Sequence, residues 1–165
     1  MLTINIMLSI IEKSFNLTFN SGLMFHEIWH GLIAIPFAIF LFKKTKSKAL
    51  VLLLFLITYF LDLDHLIDYF MFYGLKFSLL QFLSLENFKI TGRATVFLHG
   101  WEYVLFFGYL AYQKGKKKMW KTIYMVIVLA MLPHLIWDTI NVGDPLFYSL
   151  IIRIVRGYVI PAGVV

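Results

Sequence analysis

The sequence predicts an all-α polytopic membrane protein, a four-transmembrane-helix bundle with short interfacial helices. Three observations carry that expectation. Of 165 residues, 61% are hydrophobic and only 15% are charged, against roughly 45–50% and about 25% in soluble domains. Four apolar stretches, residues 22–42, 49–72, 94–112 and 119–140, come near the length of about 20 residues that a bilayer crossing needs. Lysine-rich links join the first stretch to the second and the third to the fourth. This composition excludes a water-soluble globule, a disordered chain and, despite a net charge of +6, a conventional nucleic-acid binder. The chain has no cysteine, which excludes disulfides, thiolate metal sites and cysteine nucleophiles.

Residues 1–20 are apolar but broken by Glu12 and Lys13, with neither a basic start nor a small-residue cleavage site. They read as an interfacial helix, not a signal peptide. The first span contains HEIWH (His26 to His30) and Pro36, which reads as a kink. KKTKSK follows, with Lys43, Lys44, Lys46 and Lys48. The second span ends in DLDHLID (Asp62 to Asp68). Residues 76–90 place Phe77, Leu80 and Leu83 at helical spacing between polar ends, a second interfacial segment. The third span opens with FLHGWE, and KGKKKMWK carries five further lysines. The fourth span holds PHLIWD. Residues 145–161 are too short to cross comfortably, carry Arg153 and Arg156, and are expected to lie on the outer surface. No repeat or linker divides the chain, so residues 1–165 read as one membrane-embedded domain with a 22–140 four-span core. Short lysine-rich loops stay in the cytoplasm. That puts loops 43–48 and 114–121 inside, and both termini and the middle link outside, a multi-pass protein of the cytoplasmic (inner) membrane.

Ionisable groups within a bilayer cost roughly 2.5–3.5 kcal/mol or more each, so each needs a reason. All five histidines (His26, His30, His65, His99, His134) fall in or beside the spans, in company with Glu27, Asp62, Asp64, Asp68, Glu102 and Asp138. At about 1.5 Å of rise per residue, His30, Asp64, His99 and His134 lie roughly 20–24 Å from the lysine ends of their spans. In a hydrocarbon core about 30 Å thick, that common level sits near the outer interface. Spacings of i,i+3 and i,i+4 (His26/His30, His99/Glu102, His134/Asp138) give each helix paired donors on one face. Imidazole nitrogen with carboxylate oxygen and no sulfur suits a divalent metal: zinc first, with manganese or iron as alternatives. The donors exceed the needs of one tetrahedral ion, so one or two ions are expected. The ligand set read from the sequence is His30, Asp64, His65, His99, His134 and Asp138, with His26 and Asp68 as second choices. Glu102 or Glu27 would act as general base.

Each signal also has a plainer reading. HEIWH fits the short H-E-x-x-H pattern of metalloproteases, but the Asn-Pro-x-x-x-Asp-Gly segment of intramembrane site-2 proteases has no counterpart here. Acids at the end of a span can simply face water. A lone His can be a hydrogen-bonded core residue, and Pro133 an ordinary membrane-helix proline. Alignment of such residues on all four spans is what favours a shared centre.

In order, His30, the Asp62-Leu-Asp64-His65 segment, His99, and Pro133-His134-x-x-x-Asp138-Thr139 resemble the LexA-regulated, inner-membrane-associated metal-dependent hydrolases. Those proteins carry an early His, Pro-Asp-x-Asp-His, His-Arg-Gly-x-Thr-His-Ser and Ser-His-x-x-x-Asp-x-x-Thr. The resemblance covers about residues 26–150 and includes Gly143 and Pro145. Leu61 replaces the family's Pro, and of the third segment only His99 carries over. The resemblance implies metal-assisted hydrolysis as a reaction class. A centre at headgroup depth implies membrane lipid as partner and a lipid or lipid-linked (phospho)ester as substrate. Arg153 and Arg156 could hold a phosphate if the tail folds over the site. The alternatives are an intramembrane protease and a non-enzymatic haem- or metal-binding membrane protein.

Overall fold

The computed structural model describes residues 23–113 and 117–162. The expected interfacial segment at 1–20 and residues 114–116 of the second lysine link lie outside them. Regular structure among the described residues is helical, apart from one antiparallel bridge between Arg93 and Val159. Three stretches are long and apolar enough to cross a bilayer: Leu23–Thr45, Lys48–Tyr73 and Lys118–Val142.

Helix α1 (Leu23–Thr45) buries His30, Gly31, Ala34, Ala38 and Leu41 on one face. Its other face exposes Met24, Ile28, Leu32, Ile35 and Ile39. A helix that is apolar all round suits lipid on one side and protein on the other. Small residues let a neighbouring helix approach closely. At Gly31 a Cβ would run into the Tyr59 hydroxyl of the next helix. Ser47 accepts a hydrogen bond from the Leu50 N–H and caps α2 (Lys48–Leu61). A two-residue turn at Asp62 and Leu63 separates α2 from α3 (Asp64–Tyr73), and the two form one apolar rod. That turn lets Asp62, Asp64 and His65 all become buried.

The segment 76–90 forms two short helices, α4 (Leu79–Leu83) and α5 (Glu86–Thr91), joined through Leu85 at positive φ. The third expected span differs from its sequence reading. It is helical only as α6 (Trp101–Tyr112), 12 residues or about 18 Å. Residues 94–100 are irregular because their backbone groups have partners elsewhere. The N–H groups of Thr95 and Val96 go to Asp68, that of Leu98 to Asp64, and that of Ala94 to the Tyr158 carbonyl.

Helix α7 (Lys118–Val142) contains Pro133 and ends at Gly143, whose φ of 73° suits a residue without a Cβ. The tail forms α8 (Leu150–Val155) and folds over segment 92–101. Trp101 N–H donates to the Tyr148 carbonyl, Ile160 N–H to that of Gly92, and the Trp101 indole to that of Pro145. The three long elements pack on one another, and α6 packs on α7. Two apolar cores result. One, including Ala34, Ala38, Leu54, Val126 and Ala130, lies on the lysine side. The other joins Leu23, Phe88, Val96, Leu135, Phe147 and Ile160 beneath the short helices and the tail.

Candidate metal centre

His26 and His30 come from α1, Asp62 from the α2–α3 turn, His65 from α3, His99 from the irregular segment, and His134 and Asp138 from α7. Their donor atoms converge. His26 Nε2 and His30 Nε2 are 2.8 Å apart, and each is 3.1 Å from Asp138 Oδ1. His99 Nε2 and His134 Nε2 are 2.9 Å apart, and lie 3.5 and 3.3 Å from Asp138 Oδ2. Asp62 closes the ring: Oδ1 is 3.3 Å from His99 Nε2, and Oδ2 is 3.5 Å from His134 Nε2 and 3.9 Å from His30 Nε2. The His30 and His134 rings stack with centroids 3.6 Å apart, which brings their nitrogens level.

Both carboxylates of the ring are buried, and none of their four oxygens has a hydrogen-bond partner. Imidazole nitrogens stand 3.1–3.9 Å from them. Two desolvated carboxylates cost several kcal/mol each unless a cation, imidazolium or metal, offsets their charge. The atoms face a common interior. Two donors held at 2.0–2.1 Å by one tetrahedral or octahedral ion lie about 2.9–3.4 Å apart, and most spacings in the ring match that range. Three groups could each hold an ion: His26, His30 and Asp62; His30, His134 and Asp138; and Asp62, His65 and His99. The donor set therefore fits a metal.

The other residues expected at the centre are placed as follows. Asp64 stands outside the ring, with Oδ2 3.0 Å from His99 Nδ1 and 2.7 Å from the Leu98 N–H, and Oδ1 3.0 Å from His65 Nδ1. With His99 Nδ1–H donating to this carboxylate, the Nε2 lone pair would face the ring. Asp68 receives the N–H groups of Thr95 and Val96 and the Thr95 hydroxyl, and anchors the irregular segment. Glu102 accepts from Ser149 Oγ at 2.6 Å and from the N–H groups of Leu150 and Ile151, where it caps α8. Glu27 faces the ring, with Asp62, His134 and Asp138 as its electrostatic neighbours. Asp62, outside the ligand set read from the sequence, is in the ring. Its i,i+3 spacing to His65 was the available signal.

Neither arginine of the tail is free for a ligand. Arg153 is buried and donates to the carbonyls of Phe147, Val96 and His99. Burial pushes its guanidinium below the ordinary value. Arg156 pairs with Asp144 at 2.6 Å. A narrow, open-mouthed cavity of about 80 Å³ reaches His26, His65, His99 and Asp138. No protein-family model, curated protein or solved structure matches this chain.

Proposed function

We propose that this chain is a membrane-bound metal-dependent hydrolase of the LexA-regulated type, with its centre facing the extracytoplasmic headgroups. The observation that carries this reading is the ring of four imidazoles and two buried carboxylates, drawn from separate elements, with donor atoms close enough to share an ion. His26, His30, His65, His99, His134, Asp62 and Asp138 would supply the metal ligands, and zinc suits that donor set. The two oxygens of Asp138 face different histidine pairs, so the donor set could hold one or two ions. A bound dication supplies charge to polarise an ester oxygen and to acidify water toward about pH 7. Asp64 would orient His99, and Glu27, which neighbours Asp62, His134 and Asp138, would serve as general base once its own proton has left. Histidine nitrogens 2.8–2.9 Å apart leave no room for a porphyrin between paired imidazoles, which disfavours the haem alternative.

The four-pass topology belongs to the same proposal. Ala49 and Leu50 of α2 share a groove with Lys118 and Met119 of α7, so the two helices start side by side. Both then run toward the ring, and α6 must return the chain to the lysine side. Irregular backbone at 94–100 is tolerable at membrane depth because protein covers it.

The test is elemental analysis of purified protein. Wild type should carry about one or two equivalents of a dication, and His134→Ala and Asp62→Asn almost none. Equal, near-zero content in all three would refute the proposal.

A further inference from the structure

The cavity above the ring has a division of labour in its walls. Leu85 and Phe88 of the α5 region, Val96 of the irregular segment, Val142 of α7, and Phe147 and Ile160 of the tail present carbon to it. Its polar lining is His26, His65, His99, Asp138, Asn141 and Tyr148, gathered at the ring end. Among the described residues, no lysine or arginine lines it, and Arg153 behind the wall is committed to three backbone carbonyls. Beyond those polar residues a phosphate or sugar headgroup would find no donors. An alkyl chain laid against the carbon walls gains about 25 cal/mol per Å² buried.

The outer faces of the same walls are also apolar. Leu75, Phe77, Leu79 and Leu80 around α4, and Ile151, Ile154, Val155 and Val159 around α8, are exposed. Short elements with apolar outer faces beside the ends of spanning helices lie in the acyl boundary of the membrane. The environment around the cavity is then lipid chains.

We infer that this cavity takes one alkyl chain of a membrane amphiphile, with the amphiphile's polar group at the histidine–aspartate ring. This rests on the hydrolase reading for the role of the floor, and on the cavity alone for the chain. It makes the substrate a lipid recognised by its tail.

The experiment uses the full chain in phosphatidylcholine nanodiscs containing a trace of a fatty acid with a mid-chain diazirine. Photolysis and peptide mapping locate the adducts, in metal-loaded and in chelator-stripped samples. Adducts on Phe88, Val96, Val142 or Phe147 are expected in both. Filling the cavity with Val96→Trp or Val142→Trp should cut them by about tenfold, the effect of about 1.4 kcal/mol of crowding. Adducts confined to lipid-facing residues such as Leu52, Leu56 and Leu105 would overturn the inference. So would cavity adducts that appear only after deletion of residues 1–21, which would give the space to the chain's own N-terminal segment. Cavity adducts in a protein that binds no metal would leave the chain site standing and remove the hydrolase reading.

Discussion

Asp62 and Asp64 are two residues apart and do different work. Asp62 offers both oxygens to the ring, whereas Asp64 spends its oxygens on His65, His99 and the Leu98 N–H. Asp62→Asn is therefore expected to abolish dication binding. Asp64→Asn should weaken it about 10–100-fold, as loss of an orienting partner does; isothermal titration with zinc separates the two. Acidification should release the metal, since the imidazoles must be neutral to bind it. Glu102→Gln should leave metal content unchanged and cost about 1–2 kcal/mol of stability, because its acceptors serve α8. Residue types and spacings in the sequence grouped His26, His30, His65, His99, His134 and Asp138 in one expected centre, but not the irregular segment that carries His99. They could not distinguish Asp62 from Asp64, because that choice depends on the turn at Asp62 and Leu63 and on where the Leu98 N–H arrives. The same holds for Asp68 and Glu102, whose partners are 27 and 47 or more residues away.

Among the elements, α1 and α2 touch through Gly31, and a bulky Gly31→Leu should push Tyr59 aside and cost about 1–3 kcal/mol in unfolding assays. The tail is fastened by Arg153 from within and by Asp144–Arg156 at the surface. Slight burial pulls Asp144 upward, but the Arg156 hydrogen bond prevails and holds it below its ordinary value. The pair thus contributes above the unfolded carboxyl value of about 3.9, and the contribution fades as pH falls through the folded value. Because both partners are substantially exposed, solvent screening limits Asp144→Asn to about 0.5 kcal/mol. Arg153→Met should cost more, about 2–3 kcal/mol, since three carbonyls lose a charged donor. Hydropathy marked α1, the α2–α3 rod and α7 in the sequence. It also marked residues 94–100 as helical, because apolar residues buried in an irregular segment look the same as apolar residues in a span.

For the whole molecule, the proposed four-pass orientation rests on the lysine links. The chain has no native cysteine, so single cysteines at positions 46, 80 and 117 can be tested with a membrane-impermeant maleimide. Four crossings predict that 46 and 117 react from one side and 80 from the other. If 46 and 117 react from opposite sides, α6 does not cross. In the four-pass arrangement α6 also shapes its surroundings. It offers about 18 Å of helix where the hydrocarbon is about 30 Å thick, and a short crossing is accommodated by thinning the bilayer beside it. Lipids along that flank would be compressed, and the outer leaflet would dip toward the protein there, so the rate at which a lipid leaves its leaflet would depend on the thickness of the host membrane.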